Sequence, residues 1–173
     1  MNMFCYQCQE TARNKGCDVK GVCGKTPEVA RLQDLLIYTV KGIAEVVVKG
    51  KFDVKEINSV NHTVFNGLFM TITNANFDDE AFVKAIRDLL SMRDELRSKA
   101  ADHQWHDAAV FTVASREDML AKAAHVGVLA TENEDIRSLR ELITYGLKGM
   151  AAYAHHALNL GFENPDIYAF AYE

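Results

Sequence analysis

From residue 26 onward the apolar residues return every three or four positions, the spacing that lines them up on one face of a helix. Leu32, Leu35, Leu36, Val40, Ile43 and Val47 form the first such stripe. Thr26-Pro27-Glu28 marks its start. Thr26 can cap, Pro27 suits a first helical position where no N–H is needed, and Glu28 suits the positive end of the helix dipole. After Lys49-Gly50-Lys51 a second stripe runs through Ile57, Val60, Val64, Leu68 and Ile72, and Asn74-Ala75-Asn76 closes it. A third begins near Asp78 and carries Phe82, Ile86, Leu89 and Leu90. Both connections are short, which makes consecutive helices antiparallel neighbours, so residues 26–100 are expected to form a three-helix bundle.

The period lapses between Ala101 and Ala114, where Val110, Phe111 and Val113 are either extended or tucked beneath the bundle. Helical signals then resume. Ser115-Arg116-Glu117-Asp118 reads as a loose capping box opening a short helix, and Thr131-Glu132-Asn133-Glu134 as a full one opening a long helix. Asn164-Pro165-Asp166 opens a last helix that runs towards Glu173. Residues 101–173 thus read as a second helical segment. The first 25 residues hold no sustained period and read as a loop. The predicted class is all-α: a cysteine-rich N-terminal loop, a three-helix bundle and a further set of helices.

The chain also resembles itself. Residues 32–44, LQDLLIYTVKGIA, align without gaps on residues 139–151, LRELITYGLKGMA, with six identities. Two amphipathic helices can look alike by composition alone; the other account is a duplicated element. Gly42 and Gly149 occupy equivalent helical positions, each costing about 1 kcal/mol against alanine, which suggests close approach of another backbone at both.

Composition narrows the function classes. In 173 residues, 49% are hydrophobic, enough for a real core. The net charge of −5 comes from interspersed acids and bases, with no basic stripe to neutralise phosphates, so nucleic acid is not an expected partner. No apolar run approaches the roughly 18 to 20 residues that span a bilayer, and the first residues lack the blocks of a signal peptide. A cytoplasmic location, away from membranes, is expected. No nucleophile and base pair, nucleotide loop or paired acids emerge. His103 and His106 read as surface residues rather than ligands, as do His155 and His156; Glu132, Glu134 and Asp135 suit the start of the long helix.

The cysteines carry the chemistry. All four, Cys5, Cys8, Cys17 and Cys23, fall in the first 23 residues, too few for a disulfide scaffold and too crowded for one. Such crowding points to a ligand set, and thiolates are what soft metals and iron-sulfur clusters require. The three intervals are unequal, whereas zinc ribbons and related folds usually present two close pairs, so the spacing favours a cluster with structural zinc as the competing reading. A thioredoxin-like motif at Cys5-Tyr6-Gln7-Cys8 is weaker, since no strand precedes it. Gly16, Gly21 and Gly24 would let N–H groups approach sulfur, and Arg13, Lys15, Lys20 and Lys25 would supply positive charge.

The opening MFCYQCQETA, continued by Gly16-Cys17 and by Gly21-Val22-Cys23-Gly24-Lys25, closely resembles the N-terminus of the hybrid cluster proteins, or hydroxylamine reductases. Residues 32–38, 129–142 and 145–153 look like the same family, so the resemblance covers essentially the whole chain. It implies that Cys5, Cys8, Cys17 and Cys23 are the ligands of a 4Fe-4S cubane in a mainly helical N-terminal domain. That domain would take electrons from a redox donor protein and pass them to a second, hybrid iron-sulfur-oxygen cluster where hydroxylamine or nitric oxide is reduced. Carbon monoxide dehydrogenases would be structural relatives. The hybrid cluster is held by His, Glu and several Cys residues of later domains. A chain of 173 residues with four cysteines cannot build it. The expectation is therefore an N-terminal domain whose partners are the remaining domains of the reductase, with no reductase activity alone. A free-standing electron carrier or redox sensor, and a zinc-stabilised helical module, are the alternatives.

Overall fold

A computed structural model describes residues 3–173. Among the described residues seven α-helices follow one another: α1 (Pro27–Gly50), α2 (Asn58–Met70), α3 (Asp79–Lys99), α4 (Asp107–Val110), α5 (Arg116–Val126), α6 (Glu134–Asn159) and α7 (Pro165–Tyr172). The class is all-α, and no strand occurs among the described residues. No described helix is long and apolar enough to cross a membrane.

α1 is the central post. Its stripe does what the period demands: Leu32, Leu35, Leu36 and Ile43 are closed off from solvent, and Val40 and Val47 are buried beside them. Thr26 caps it, accepting from the Val29 N–H at 3.2 Å, with Pro27 at the first position. α3 packs along α1, burying Phe82, Ile86, Leu89 and Leu90, and starts where Asp78 accepts from the Glu80 and Ala81 N–H groups. α2 adds Val60, Val64 and Leu68 to the same core. It starts without a side-chain cap at Ile57 and ends at Met70, so Ile72, expected on its stripe, lies beyond the helix.

The core does not stop at residue 100. α4 and α5 close the other side of α1, contributing Ala109, Phe111, Met119 and Ala123, while α6 lies chiefly against α2. Arg116, at the start of α5, pairs with Glu28 at the head of α1 (2.6 Å) and with Asp79 and Glu80 at the head of α3, pinning three helix starts together. α7 is held by the Tyr172 hydroxyl, which donates to Asn61 Oδ1 at 2.9 Å, and by Tyr168 edge-on to Phe65.

The aperiodic stretch is tucked in only at Ala108, Ala109 and Phe111, while Val110 is exposed. α4 is a single turn capped by His106, whose Nδ1 accepts from the Ala108 N–H. Arg93 holds it: fully buried, its guanidinium donates to the carbonyl oxygens of Ala108 (3.0 Å) and Phe111 (2.7 Å) and to Asp94. Tertiary donors replace the hydrogen bonds that a longer helix would have made for itself, so no period survives in the sequence.

The two capping boxes exchange roles. Ser115 and Asp118 form a complete reciprocal box, although the pair was the looser match. Thr131 does not cap α6 at all; Asn133 does, accepting from the Ile136 N–H at 3.0 Å, and the Thr131 hydroxyl accepts from Arg140 instead. Asparagine two residues nearer the helix is the stronger cap and moves the start inward. Asn133→Ala is therefore expected to lower stability by about 1 kcal/mol and Thr131→Ala by clearly less, read from the midpoints of urea unfolding.

Candidate metal centre

Residues 3–25 wrap back on themselves ahead of α1. Cys5 and Cys17 face each other as a short antiparallel bridge, each N–H donating to the other's carbonyl oxygen at 3.0 and 2.8 Å. Between them the chain turns sharply, with Arg13 and Asn14 at left-handed φ values of 57° and 53°. Thr11 fastens the turn, its hydroxyl donating to the Cys5 carbonyl at 3.1 Å and lying 3.8 Å from Cys17 Sγ. The second half closes through Gly21, whose N–H donates to the Lys25 carbonyl at 2.9 Å. A Cβ on Gly21 would stand 3.1 Å from Cys23 Sγ, so glycine is what lets this turn lie against that sulfur.

The consequence is convergence. Cys5, Cys8, Cys17 and Cys23 all line one small cavity, together with Met3, Thr11, Gly21, Val22, Lys25 and Thr73. All four are free thiols. Among the described residues no three His, Cys, Asp or Glu side chains are grouped as they would be around one ion. Four thiols lining one cavity are a donor set that could hold a soft metal or an iron-sulfur cluster.

The environment moves two of the thiols in opposite directions, Cys5 up and Cys17 down. Burial pushes the Cys5 thiol up, against the Gln7 N–H and the ammonium groups of Lys25 and Lys148. At Cys17 burial also raises, but the N–H groups of Ala12 and Val22 and the Thr11 hydroxyl outweigh it, and the net direction is down. At these two sulfurs the approaching N–H groups belong to Gln7, Ala12 and Val22, and not to the glycines that the sequence singled out.

The cations differ more. Arg13 pairs with Asp18 at 2.8 Å on the surface, and Lys15 and Lys20 are exposed. Lys25 is buried in the cavity wall, and Lys148, from the middle of α6, is buried close by. Lys148 gave no signal in the sequence: it sits 125 residues beyond Cys23, and its counterpart in the internal repeat, Lys41, is exposed. The histidines lie away from this cavity. His106 caps α4, and His155 and His156 flank the Phe69 ring.

Fold and site define a class: an all-helical chain whose N-terminal loop turns four thiols towards one cavity. The chain belongs to the Prismane/CO dehydrogenase family, whose model matches residues 3–173. It is 62% identical over 173 residues to a hydroxylamine reductase of Acetivibrio thermocellus, covering all of this chain and 32% of that protein. Against the hydroxylamine reductases of Clostridium novyi and Clostridium perfringens it is 55% and 51% identical, covering 98% and 100% of this chain and 32% and 33% of those proteins. The chain thus spans about a third of the length of the curated relatives it matches, corresponding to their N-terminal part.

Proposed function

We propose that this chain is the N-terminal, electron-handling part of a cytoplasmic hydroxylamine reductase, with Cys5, Cys8, Cys17 and Cys23 as the ligands of a 4Fe-4S cluster. The observation that carries the reading is the placement of all four thiols on one cavity. Bound there, a cluster would supply one-electron storage. The chain's own residues do the rest. Four thiolates hold the centre, the N–H groups of Gln7, Ala12 and Val22 donate towards sulfur, and burial of Cys17 keeps water away from that ligand. A redox donor protein would dock at the loop, and the second cluster, with the reduction of hydroxylamine or nitric oxide, would belong to later domains.

α6 supports the need for those domains. Leu139, Leu142 and Ile143 are 62%, 68% and 64% exposed, whereas Leu32, Leu35 and Leu36, their counterparts in the internal repeat, are closed off inside the bundle. An apolar stripe of this size on one helix marks a surface made to be covered. In this reading residues 26–100 form the bundle, residues 101–173 are a second helical segment that shares its core, and the remaining two-thirds of the polypeptide lies on the exposed face of α6.

Anaerobic purification followed by iron, acid-labile sulfide and zinc analysis tests the centre. The expected result is a brown protein with iron and sulfide in equal amounts, about four of each per chain, bleached by dithionite. One zinc per chain with no sulfide would sink the reading. Replacing any one of the four cysteines by alanine is expected to remove most of the iron while leaving helicity unchanged, because the loop contributes little to the main core.

A further inference from the structure

A buried lysine normally finds a carboxylate, since an ammonium taken out of water costs several kcal/mol unless it is paired. Lys25 and Lys148 break that rule together. Both are closed off from solvent, and among the described residues the partner of each ammonium is a glutamine carbonyl oxygen and not a carboxylate. Lys25 Nζ donates to Gln33 Oε1 at 2.7 Å. Lys148 Nζ donates to Gln7 Oε1 at 2.9 Å, with the Gln7 amide turned so that its oxygen faces the lysine.

The two glutamines then meet. Gln33 Nε2 donates to the Thr71 carbonyl oxygen at 3.4 Å, and Gln7 Nε2 to the same oxygen at 3.2 Å. One carbonyl at the end of α2 therefore anchors a symmetrical strap, Lys25–Gln33–Thr71–Gln7–Lys148, whose ends are two cations. Gln7 lies between Cys5 and Cys8, and Lys25 lies two residues after Cys23. The nearest acids, Asp34 and Glu141, do not touch either ammonium; burial holds Asp34 up to about 7, which weakens it further as a counter-charge. Burial lowers both ammonium groups, Lys148 to about 8, and no protein carboxylate touches either, so the anions left to them are the thiolates of the loop.

We infer that Lys25 and Lys148 are positioning residues that supply the counter-charge of the thiolate-bound centre and hold its reduction potential up, with the Gln7–Thr71–Gln33 strap fixing their distance from it. The inference rests on the cluster reading of the preceding subsection. A four-thiolate centre carries net negative charge, and each added electron increases it, so a fixed cation favours the reduced form. Lys148 also makes the centre depend on α6, the helix whose outer face is apolar and exposed.

The test is a dye-mediated redox titration, followed by visible bleaching, of the anaerobically reconstituted chain and of its Lys25→Met, Lys148→Met and Lys148→Arg variants. Each methionine variant is expected to reduce about tenfold less favourably, a shift of 59 mV to more negative potential for a one-electron couple. Lys148→Arg should stay within about threefold of the parent, because it keeps the charge. A methionine variant that stays helical but no longer loads a cluster, while the arginine variant does, also supports the counter-charge role. Loaded methionine variants with the parent's potential overturn it, as does unfolding of the metal-free arginine variant along with the methionine one, which would make Lys148 a packing residue. A parent chain that takes up no iron and sulfide defeats the cluster reading itself, whereas a loaded parent with unmoved variants defeats only this inference.

Discussion

Gly42→Ala is expected to destabilise the chain by about 3 kcal/mol, while Gly149→Ala, at the matching position of the internal repeat, is expected to stabilise it by up to about 1 kcal/mol. The sequence treats these glycines alike. In the structure a Cβ on Gly42 would stand 2.0 Å from the Ala108 carbonyl oxygen and 2.5 Å from its carbon, both backbone atoms that cannot swing aside as a side chain can. The added methyl would have to push α4 off α1, and the gain in helix propensity does not offset that. Around Gly149 nothing lies within 4 Å of the added methyl, so only the propensity gain remains. Urea unfolding of both variants, followed by far-ultraviolet circular dichroism, checks the pair. Equal effects of either sign would mean that α4 does not sit where the structure has it.

Arg93→Met is expected to cost a similar amount, about 3 kcal/mol, from the two buried carbonyl oxygens it leaves without a donor, at about 1 to 3 kcal/mol each. The carboxylate of Asp94 contributes less, because it is 41% exposed and stays solvated when the guanidinium is gone. The ring of Phe111, 4.9 Å from the guanidinium carbon, loses its cation as well. An exposed control, Lys84→Met, removes only a surface pair with Asp88 one turn away and should change stability by less than about 0.5 kcal/mol. Arg93 and Gly42 act on the same segment, both at the Ala108 carbonyl oxygen. The double variant should therefore lose less than the sum of the two single losses, since a segment already displaced by the methyl that Gly42→Ala adds has little left to lose at Arg93.

The helices of the bundle were legible because burial on one face imposes a period. Pro27, Asp78 and Asn164 mark their starts as local chemistry dictates, and the stripe from Leu32 to Val47 is buried as its spacing requires. The gathering of the cysteines on one cavity was legible for a different reason: residue type and crowding along the chain do not depend on how the chain packs. Where local chemistry offered two answers, as with Thr131 and Asn133, the pattern alone chose the wrong residue. α4 could not be read at all, since it is a single turn whose Ala108 and Phe111 carbonyl oxygens are held by Arg93, on a helix earlier in the chain.

By itself the sequence determined the helical class, the central stripe of α1 and the four thiols, because each is set by residue type and by spacing along one stretch of chain. The tertiary structure alone decided which of two equivalent glycines touches backbone, which of two equivalent apolar stripes is covered, and that Lys148 stands beside Cys5. Those outcomes depend on what arrives from elsewhere in the fold, and contacts between distant segments leave no period in the segments themselves.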